Sequence, residues 1–410
     1  MASFTELQEK YAELMMKVGL NLQPGQPLLI QCPIELVDFG RLLVRKAYES
    51  GASRVHVDWV DEELRKINLE LSPLEDLEKP AYWRSSIFDA LYEAGGALLQ
   101  VYAPNPDLLK DIDSARASAL MKSDSIARKE FRNHTQNGDI KWCLTSAPTV
   151  AWARKVYPEL PDDEAVERLW RQIFYMARVT HSNPVAIWQE HVAMLKDKVR
   201  ILNDFHFQSL HYTTPEGTDL TIELPEGHLW LGGSWDGTDQ EFLPNIPTEE
   251  VFTLPQRDGV NGVVRATMPL NHNGTLIDNF SLTFEKGRIV EYTAESGYSS
   301  LKEMIETDDG AHYLGEVALV QYDSPISNLK QIFFNTLFDE NASCHLAIGS
   351  AYPTTIQGGT EMSRDELLQK GVNYSLQHVD FMVGSATLDI EGLTQDGKPI
   401  SVFKNGNWAI

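Results

Sequence analysis

The chain has 410 residues, 42% of them hydrophobic, more than one typical core takes up, so two domains are expected. Asp and Glu number 59 against 35 Lys and Arg, a formal net charge of -24, which works against nucleic acid or an anionic membrane surface as main partner and suits a cationic or metal-bound ligand. Cys32, Cys143 and Cys344 are widely separated, odd in number and without a CxxC pair, which excludes a disulfide framework and a thiolate zinc site and makes a reducing cytoplasm the expected setting.

The opening ASFTELQEKYAELMMKVG lacks the basic start and continuous apolar stretch of a signal peptide, and no later stretch reads as a bilayer span. It reads instead as an amphipathic helix. Ser3 and Glu6 form a capping box, Phe4, Leu7, Tyr11, Leu14 and Val18 recur at helical spacing, and Gly19 is placed to end the element. After the turn at Pro24-Gly25 come a buried strand at LLIQ, a helix ending at Gly51, and a second strand at RVHVDW, which together make a βαβ unit. GALLQVYAP from Gly96 and KWCLTSAP from Lys141 repeat the strand pattern, with helices expected around Pro80 to Ala94 and Asp113 to Arg128. The first half is therefore predicted to be α/β with a mainly parallel sheet covered by helices. No GxGxxG or GxxxxGK[ST] follows any of these strands, so a nucleotide-phosphate cradle is not expected. His56 with Asp58, His134 and His181 have no second ligand cluster near them in sequence and read as structural or solvated residues.

Helices near Pro161 and from Pro184 through Val199 lead to a change of texture. From about Leu210 short β-type runs such as TDLTIELPEG and SLTFEKGRIVEYTAESG are broken by Gly, Pro and Asn, which indicates an α+β domain. The expected division is 1–185 for the first domain and 186–410 for a C-terminal catalytic domain.

Chemistry concentrates in four stretches of the second half. SLQHVDFMVG reads as a strand, and alternation puts His378 and Asp380 on one face, roughly 7 Å apart at their attachment points, with Val379 and Phe381 toward a core. In NIPTEEVFTLP, Glu249 and Glu250 stand at the start of a short strand; in HYLGEVALV, Glu316 opens an apolar run. In ENASCHLAIGSAY, Cys344, Leu346 and Ile348 alternate as one face and leave His345 on the other, with Tyr352 seven positions on. A buried carboxylate without a partner costs several kcal/mol, so these acids require a cation, a hydrogen-bond network or a metal. Two Glu, one Asp and two His exceed what one tetrahedral ion with an open position takes, but suit two ions about 3.5 to 4 Å apart. Nitrogen and oxygen ligands without thiolate point to Zn, Co or Mn. No HExxH, HxxEH or GxSxG occurs, against a helical zincin and an elbow-type serine hydrolase. Residue chemistry alone leaves open a dinuclear hydrolase of peptides, of another amide or of a phosphoester, and a non-catalytic peptide-binding protein.

Taken in order, these four stretches resemble the thermophilic metalloaminopeptidases of the aminopeptidase T and aminopeptidase S type, and the likeness extends over nearly the whole chain. The resemblance implies metal ligands at Glu250, Glu316, His345, His378 and Asp380, two divalent ions per chain, and a metal-proximal, catalytic tyrosine at Tyr352 that either ligates an ion or donates its hydroxyl to the oxyanion. It selects Glu250 over Glu249, which is expected to point outward or to support the ligands. It further implies a cytoplasmic homodimer acting on peptide substrates with a free N-terminus. On this reading Glu316 bridges the ions, Glu250 completes one position, and His345, His378 and Asp380 hold the other, with Asp380 able to contact either. Glu249 is a candidate base by adjacency alone. Trp230, Trp235 and Phe242 are candidate pocket residues, and His272 reads as a turn residue.

Overall fold

The computed structural model describes residues 2–235, 240–272 and 275–410. Contacts gather the chain into two compact units, Met1–His191 with Ser234–Pro247, and Val192–Gly233 with Thr248–Ile410. Ser234–Pro247 lies beyond the division expected near residue 185. It returns to the first unit through backbone hydrogen bonds, Leu144 N–H to Pro244 at 2.6 Å and Ile246 N–H to Leu144 at 2.9 Å.

In the first unit, α1 (Phe4–Leu14) is fixed by its capping box: Glu6 N–H donates to the Ser3 hydroxyl at 3.3 Å, and Ser3 N–H to the Glu6 carboxylate at 2.6 Å. A π-helical turn carries it on to Gly19. Then follow β1 (Pro27–Pro33), α2 (Val37–Glu49), β2 (Arg54–Val60), α3 (Glu62–Leu71), α4 (Leu74–Leu77), α5 (Tyr82–Glu93) and β3 (Ala97–Val101). The unit continues with α6 (Ser114–Ala127), α7 (Lys129–Asn137), β4 (Lys141–Thr145), α8 (Val150–Val156) and α9 (Asp162–Met176). The four strands are parallel, in the order β2-β1-β3-β4. Strand β1 is central and buried from Leu28 to Pro33, so its run is uniformly apolar apart from Gln31. The chain leaves β1 for β2 on one side and comes back to β3 on the other.

The helix α10 (Pro184–Phe205) runs into the second unit, which is built from antiparallel strands. These are β5 (Ser209–Thr213), β6 (Asp219–Glu223), β7 (Leu231–Gly232), β8 (Val251–Thr253), β9 (Val260–Arg265), the pair β10 (Leu270–His272) and β11 (Thr275–Ile277), β12 (Ser281–Glu285) and β13 (Arg288–Thr293). After α11 (Tyr298–Ile305) come β14 (Leu314–Leu319), α12 (Thr336–Asp339), β15 (His345–Gly349), α13 (Arg364–Gln369), β16 (His378–Met382), β17 (Asp389–Leu393), β18 (Pro399–Lys404) and β19 (Asn407–Trp408). An eight-stranded sheet, β13-β12-β9-β6-β5-β17-β18-β19, and a five-stranded sheet, β16-β15-β14-β8-β7, share one core. Tyr212, Ile222 and Phe284 of the larger sheet and Val317, Leu346, Ile348 and Phe381 of the smaller are buried in it. The fold is mixed α/β, with a parallel sheet in the first unit and antiparallel sheets in the second. No helix among the described residues is long and apolar enough to cross a membrane.

Candidate metal centre

The core takes one face of the five-stranded sheet, and the other face gathers the candidate ligands. Residues directly opposite on antiparallel strands point the same way. Glu316 pairs with Ala347 and Ala347 with Asp380; Gly349 pairs with His378 and Ala318 with His345. The side chains between the ligands are thus Ala or Gly, which leaves room above them for five long side chains to converge. Strand β14 is irregular between Leu314 and Glu316, a bulge of the kind that re-aims a side chain. Only glycine fits there: a Cβ on Gly315 would lie 2.4 Å from the carbonyl oxygens of Gly349 and Ser350.

All five expected ligands come together in two groups that share Glu316: Glu250, Glu316 and His345, and Glu316, His378 and Asp380, the ligand atoms of each lying within 4.8 Å of one another. His345 Nε2 stands 3.3 Å from Glu250 Oε2 and 3.5 Å from Glu316 Oε1. His378 Nε2 stands 3.6 Å from Glu316 Oε2 and 3.4 Å from Asp380 Oδ1. The two oxygens of Glu316 therefore face different groups. The expected partition differs in one respect: His345 sits with Glu250, not with His378 and Asp380. The cause is strand order, because β15 places His345 opposite β14, whose other neighbour β8 begins just after Glu250.

Each imidazole is oriented from behind. His345 Nδ1 lies 3.2 Å from the Ser343 carbonyl and His378 Nδ1 2.7 Å from that of Ser350. A carbonyl can only accept, so Nδ1 carries the proton and Nε2 turns its lone pair toward the carboxylates in the neutral ring.

The electrostatics show what the cluster lacks. Burial pushes the Glu316 carboxyl up from its ordinary value. Burial opposes charge on both imidazoles, yet His345 is raised well above its ordinary value by Glu250 and Glu316, and His378 to about 10 by Asp380 and Glu316. Burial also works against ionised Asp380, but His378 and His345 hold it below its usual value. In the metal-free chain protons supply the positive charge that these acids require. Asp380 Oδ1 is buried and, beyond the His378 ring at 3.4 Å, has no partner among the described residues. A buried carboxylate oxygen, two pre-turned Nε2 atoms and a carboxylate facing both groups fit two divalent ions bound through nitrogen and oxygen.

Two neighbours extend the site. The Tyr352 ring is 5.1 Å from that of His378 and 6.1 Å from that of Phe252, and burial followed by the negative field of Glu316 and Asp380 raises its hydroxyl well above the usual tyrosine value. Glu340, which the sequence reading passed over, stands in the short turn after α12, and burial together with the charges of Glu250 and Asp380 pushes it well above the carboxylate range. It belongs to neither ligand group. Glu249 is not outward: it is 2% exposed, and its N–H donates to Asn341 Oδ1 at 2.8 Å. The fully buried Asn341 also donates to the Leu337 carbonyl at 2.9 Å, which ties the Glu250 arm to the helix preceding Glu340.

The remaining candidates lie elsewhere. His56 is exposed on β2, His134 stacks on Tyr92 with ring centroids 3.6 Å apart, and His181 is exposed. Trp230 belongs to the core of the second unit, whereas Trp235 and Phe242 pair through their backbones in the returning segment of the first. His272 ends β10 and its imidazole is lowered by burial.

Comparison with known proteins covers the whole chain. The profile of the thermophilic metalloprotease (M29) family matches residues 4–408. Aminopeptidase AmpS of Bacillus subtilis (strain 168) is 50% identical over 410 residues, 100% of each chain, and aminopeptidase 2 of Geobacillus stearothermophilus is 48% identical over 404 residues, 98% of this chain and 97% of that one. The solved structure of wild-type AmpT from Thermus thermophilus superposes with a TM-score of 0.93 at 41% identity, covering 100% of both chains.

Proposed function

Because the chain belongs to the thermophilic metalloprotease (M29) family, we propose that it is an aminopeptidase that removes the first residue from peptides with a free N-terminus at a dinuclear centre. The observation that carries this reading is the sharing of Glu316 between two complete ligand groups. Glu250, Glu316 Oε1 and His345 would hold one ion, and Glu316 Oε2, His378 and Asp380 the other. Two such ions, Zn, Co or Mn, would supply, when bound, the acidity that makes water a nucleophile near neutrality and a Lewis acid for the scissile carbonyl.

The chain's own residues do the rest. Tyr352 keeps its proton at neutral pH and donates it as a hydrogen bond to the oxyanion that forms at the scissile carbon; one such contact is worth roughly 3 to 4 kcal/mol. Glu340, outside both ligand groups and favoured by burial in its protonated form, gives its proton to the leaving amine and recovers one from the attacking water. Peptide substrates, a homodimer and a cytoplasmic setting belong to the same reading.

The test uses the chain loaded with Zn, Co or Mn and a peptide offered with a free or an N-acetylated terminus. We expect a free amino acid from the first and none from the second. Equal cleavage of both, or cleavage at an internal bond, would overturn the aminopeptidase reading.

A further inference from the structure

The first unit, which holds none of the ligand residues, has a built groove of its own. At the carboxyl end of its parallel sheet Asp58, Gln31 and Gln100 stand in one row across β2, β1 and β3. Gln31 Nε2 donates to Asp58 Oδ2 at 2.9 Å and Gln100 Nε2 to Gln31 Oε1 at 2.8 Å. Strand order reverses between β1 and β3, so their connections depart to opposite sides and open a crevice, the place where open α/β sheets take ligands. The row lines a cavity of 1230 Å³, together with residues of α3 to α7.

The walls of this cavity are unlike the rest of the surface. In a chain of net charge -24 its lining has five basic residues against four acidic ones. Several of these are already committed: Lys79 to Asp76 at 2.7 Å, Arg132 to the Ser125 hydroxyl at 2.7 Å, and Asp61 to the Leu64 N–H that it caps at 2.9 Å. Arg65, Arg84 and Arg128 have no ion pair and no side-chain hydrogen bond among the described residues. Arg128 is half-buried with its guanidinium 4.5 Å from the centre of the Phe88 ring, and burial, with the like charges of Arg84 and Arg65, lowers it despite Asp124 and Asp58. A half-buried cation with two like charges beside it accepts an anion. Trp59, Trp83 and Trp142 add aromatic surface to the same cavity, and Trp83 is 80% exposed.

We propose that this groove binds a small carboxylate with an aromatic or branched apolar body, such as a free amino acid or the C-terminal residue of a peptide, with the anion against Arg84 and Arg128 and the body against the tryptophans. A guanidinium fork matches a carboxylate in two parallel hydrogen bonds. A nucleotide fits poorly, since no glycine-rich turn follows β1 to β4 to cradle its phosphates. Asp58 and Asp124 at the same wall suit an ammonium group, which only the free amino acid carries.

Isothermal titration calorimetry on the full-length, metal-loaded chain tests this with L-phenylalanine, N-acetyl-L-phenylalanine and N-acetyl-L-phenylalaninamide. The two acetylated probes have no free amine and are not substrates under the proposed activity. We expect a carboxylate probe to bind about tenfold more tightly than the amide, and Arg84→Met and Arg128→Met each to weaken it about tenfold. His345→Ala, which dismantles the proposed metal centre, should leave this binding within about twofold. Tighter binding of free phenylalanine identifies an amino-acid site, and equal binding of the acetylated acid a site for peptide C-termini. The proposal is overturned if the amide binds as well as the acid, if the arginine variants bind like the parent chain, or if no probe binds at millimolar concentration. It is equally overturned if binding vanishes in His345→Ala, or if the groove proves covered by a second copy of the chain, seen as an Arg84→Met effect on sedimentation and none on binding.

Discussion

Two rows of buried and half-buried polar side chains cross strands in this molecule, one in each unit, and they are completed in opposite ways. In the first unit Asp58, Gln31 and Gln100 satisfy one another as donor and acceptor at 2.8 and 2.9 Å. In the second, Glu316 and Asp380 flank Ala347 with Glu250 and Glu340 nearby, all of them carboxyl groups, which accept and cannot donate when ionised. Amides can close a network among themselves, whereas carboxylates cannot. A row of acids on a sheet face is complete only with cations, and in the metal-free chain protons on His345 and His378 take that part. Burial depth does not separate the two rows; the supply of donors does.

The comparison breaks most visibly if the carboxylate row loses its shared member. Glu316→Gln removes the charge but keeps the shape, and we expect kcat/KM to fall at least 100-fold, since even residues that only support metal ligands cost about 10 to 100-fold. Turnover within a fewfold of the parent chain would show that Glu316 is an ordinary buried acid. Next in size, Tyr352→Phe and Glu340→Gln should each lower kcat by roughly 100 to 1000-fold while metal content stays unchanged, which separates proton and oxyanion chemistry from ligation. Loss of metal in either variant would move that residue into the ligand set.

A third buried polar group sharpens the contrast. His228, 2% exposed, donates its Nδ1–H to the Pro225 carbonyl at 3.0 Å and has no carboxylate partner among the described residues, so burial lowers it to about 4. It is the inverse of His345 and His378, which the acids raise. A histidine with a depressed folded pKa contributes stability that is fully present above its ordinary value of 6.5 and lost as pH falls through about 4. We expect about 3 kcal/mol of acid sensitivity from this residue. In His228→Asn the difference in urea unfolding free energy between neutral and acid pH should shrink by that amount, and an unchanged difference would locate the acid sensitivity elsewhere. Smallest of all, Gln31→Leu should cost about 1 to 3 kcal/mol by leaving Asp58 without its amide, with no change in metal content or turnover.

How much of this was legible in sequence depends on the range of the signal. Local periodicities were readable: the capping box of α1, the central β1 run, and the common face of His378 and Asp380, because each is settled within a few residues. The face shared by Glu316, Ala347 and Asp380 depends on which strands lie side by side, and strand order is long-range information that no spacing encodes. For that reason His345 was expected beside His378, and its place with Glu250 came only with the order β16-β15-β14-β8. Glu340 escaped notice for another reason: it stands in a short turn, where neither a period of two nor one of 3.6 assigns a face. Gly315 could be read as a glycine before a strand, but not as a bulge that turns Glu316.

The most direct test is a count of bound metal. The parent chain and Glu316→Gln, loaded with Zn, Co or Mn and desalted, are analysed for ions per chain. We expect two in the parent and one or none in Glu316→Gln, because one carboxylate serves both positions. Fewer than one ion in the parent chain, or two retained in Glu316→Gln, would contradict a centre built on a shared Glu316.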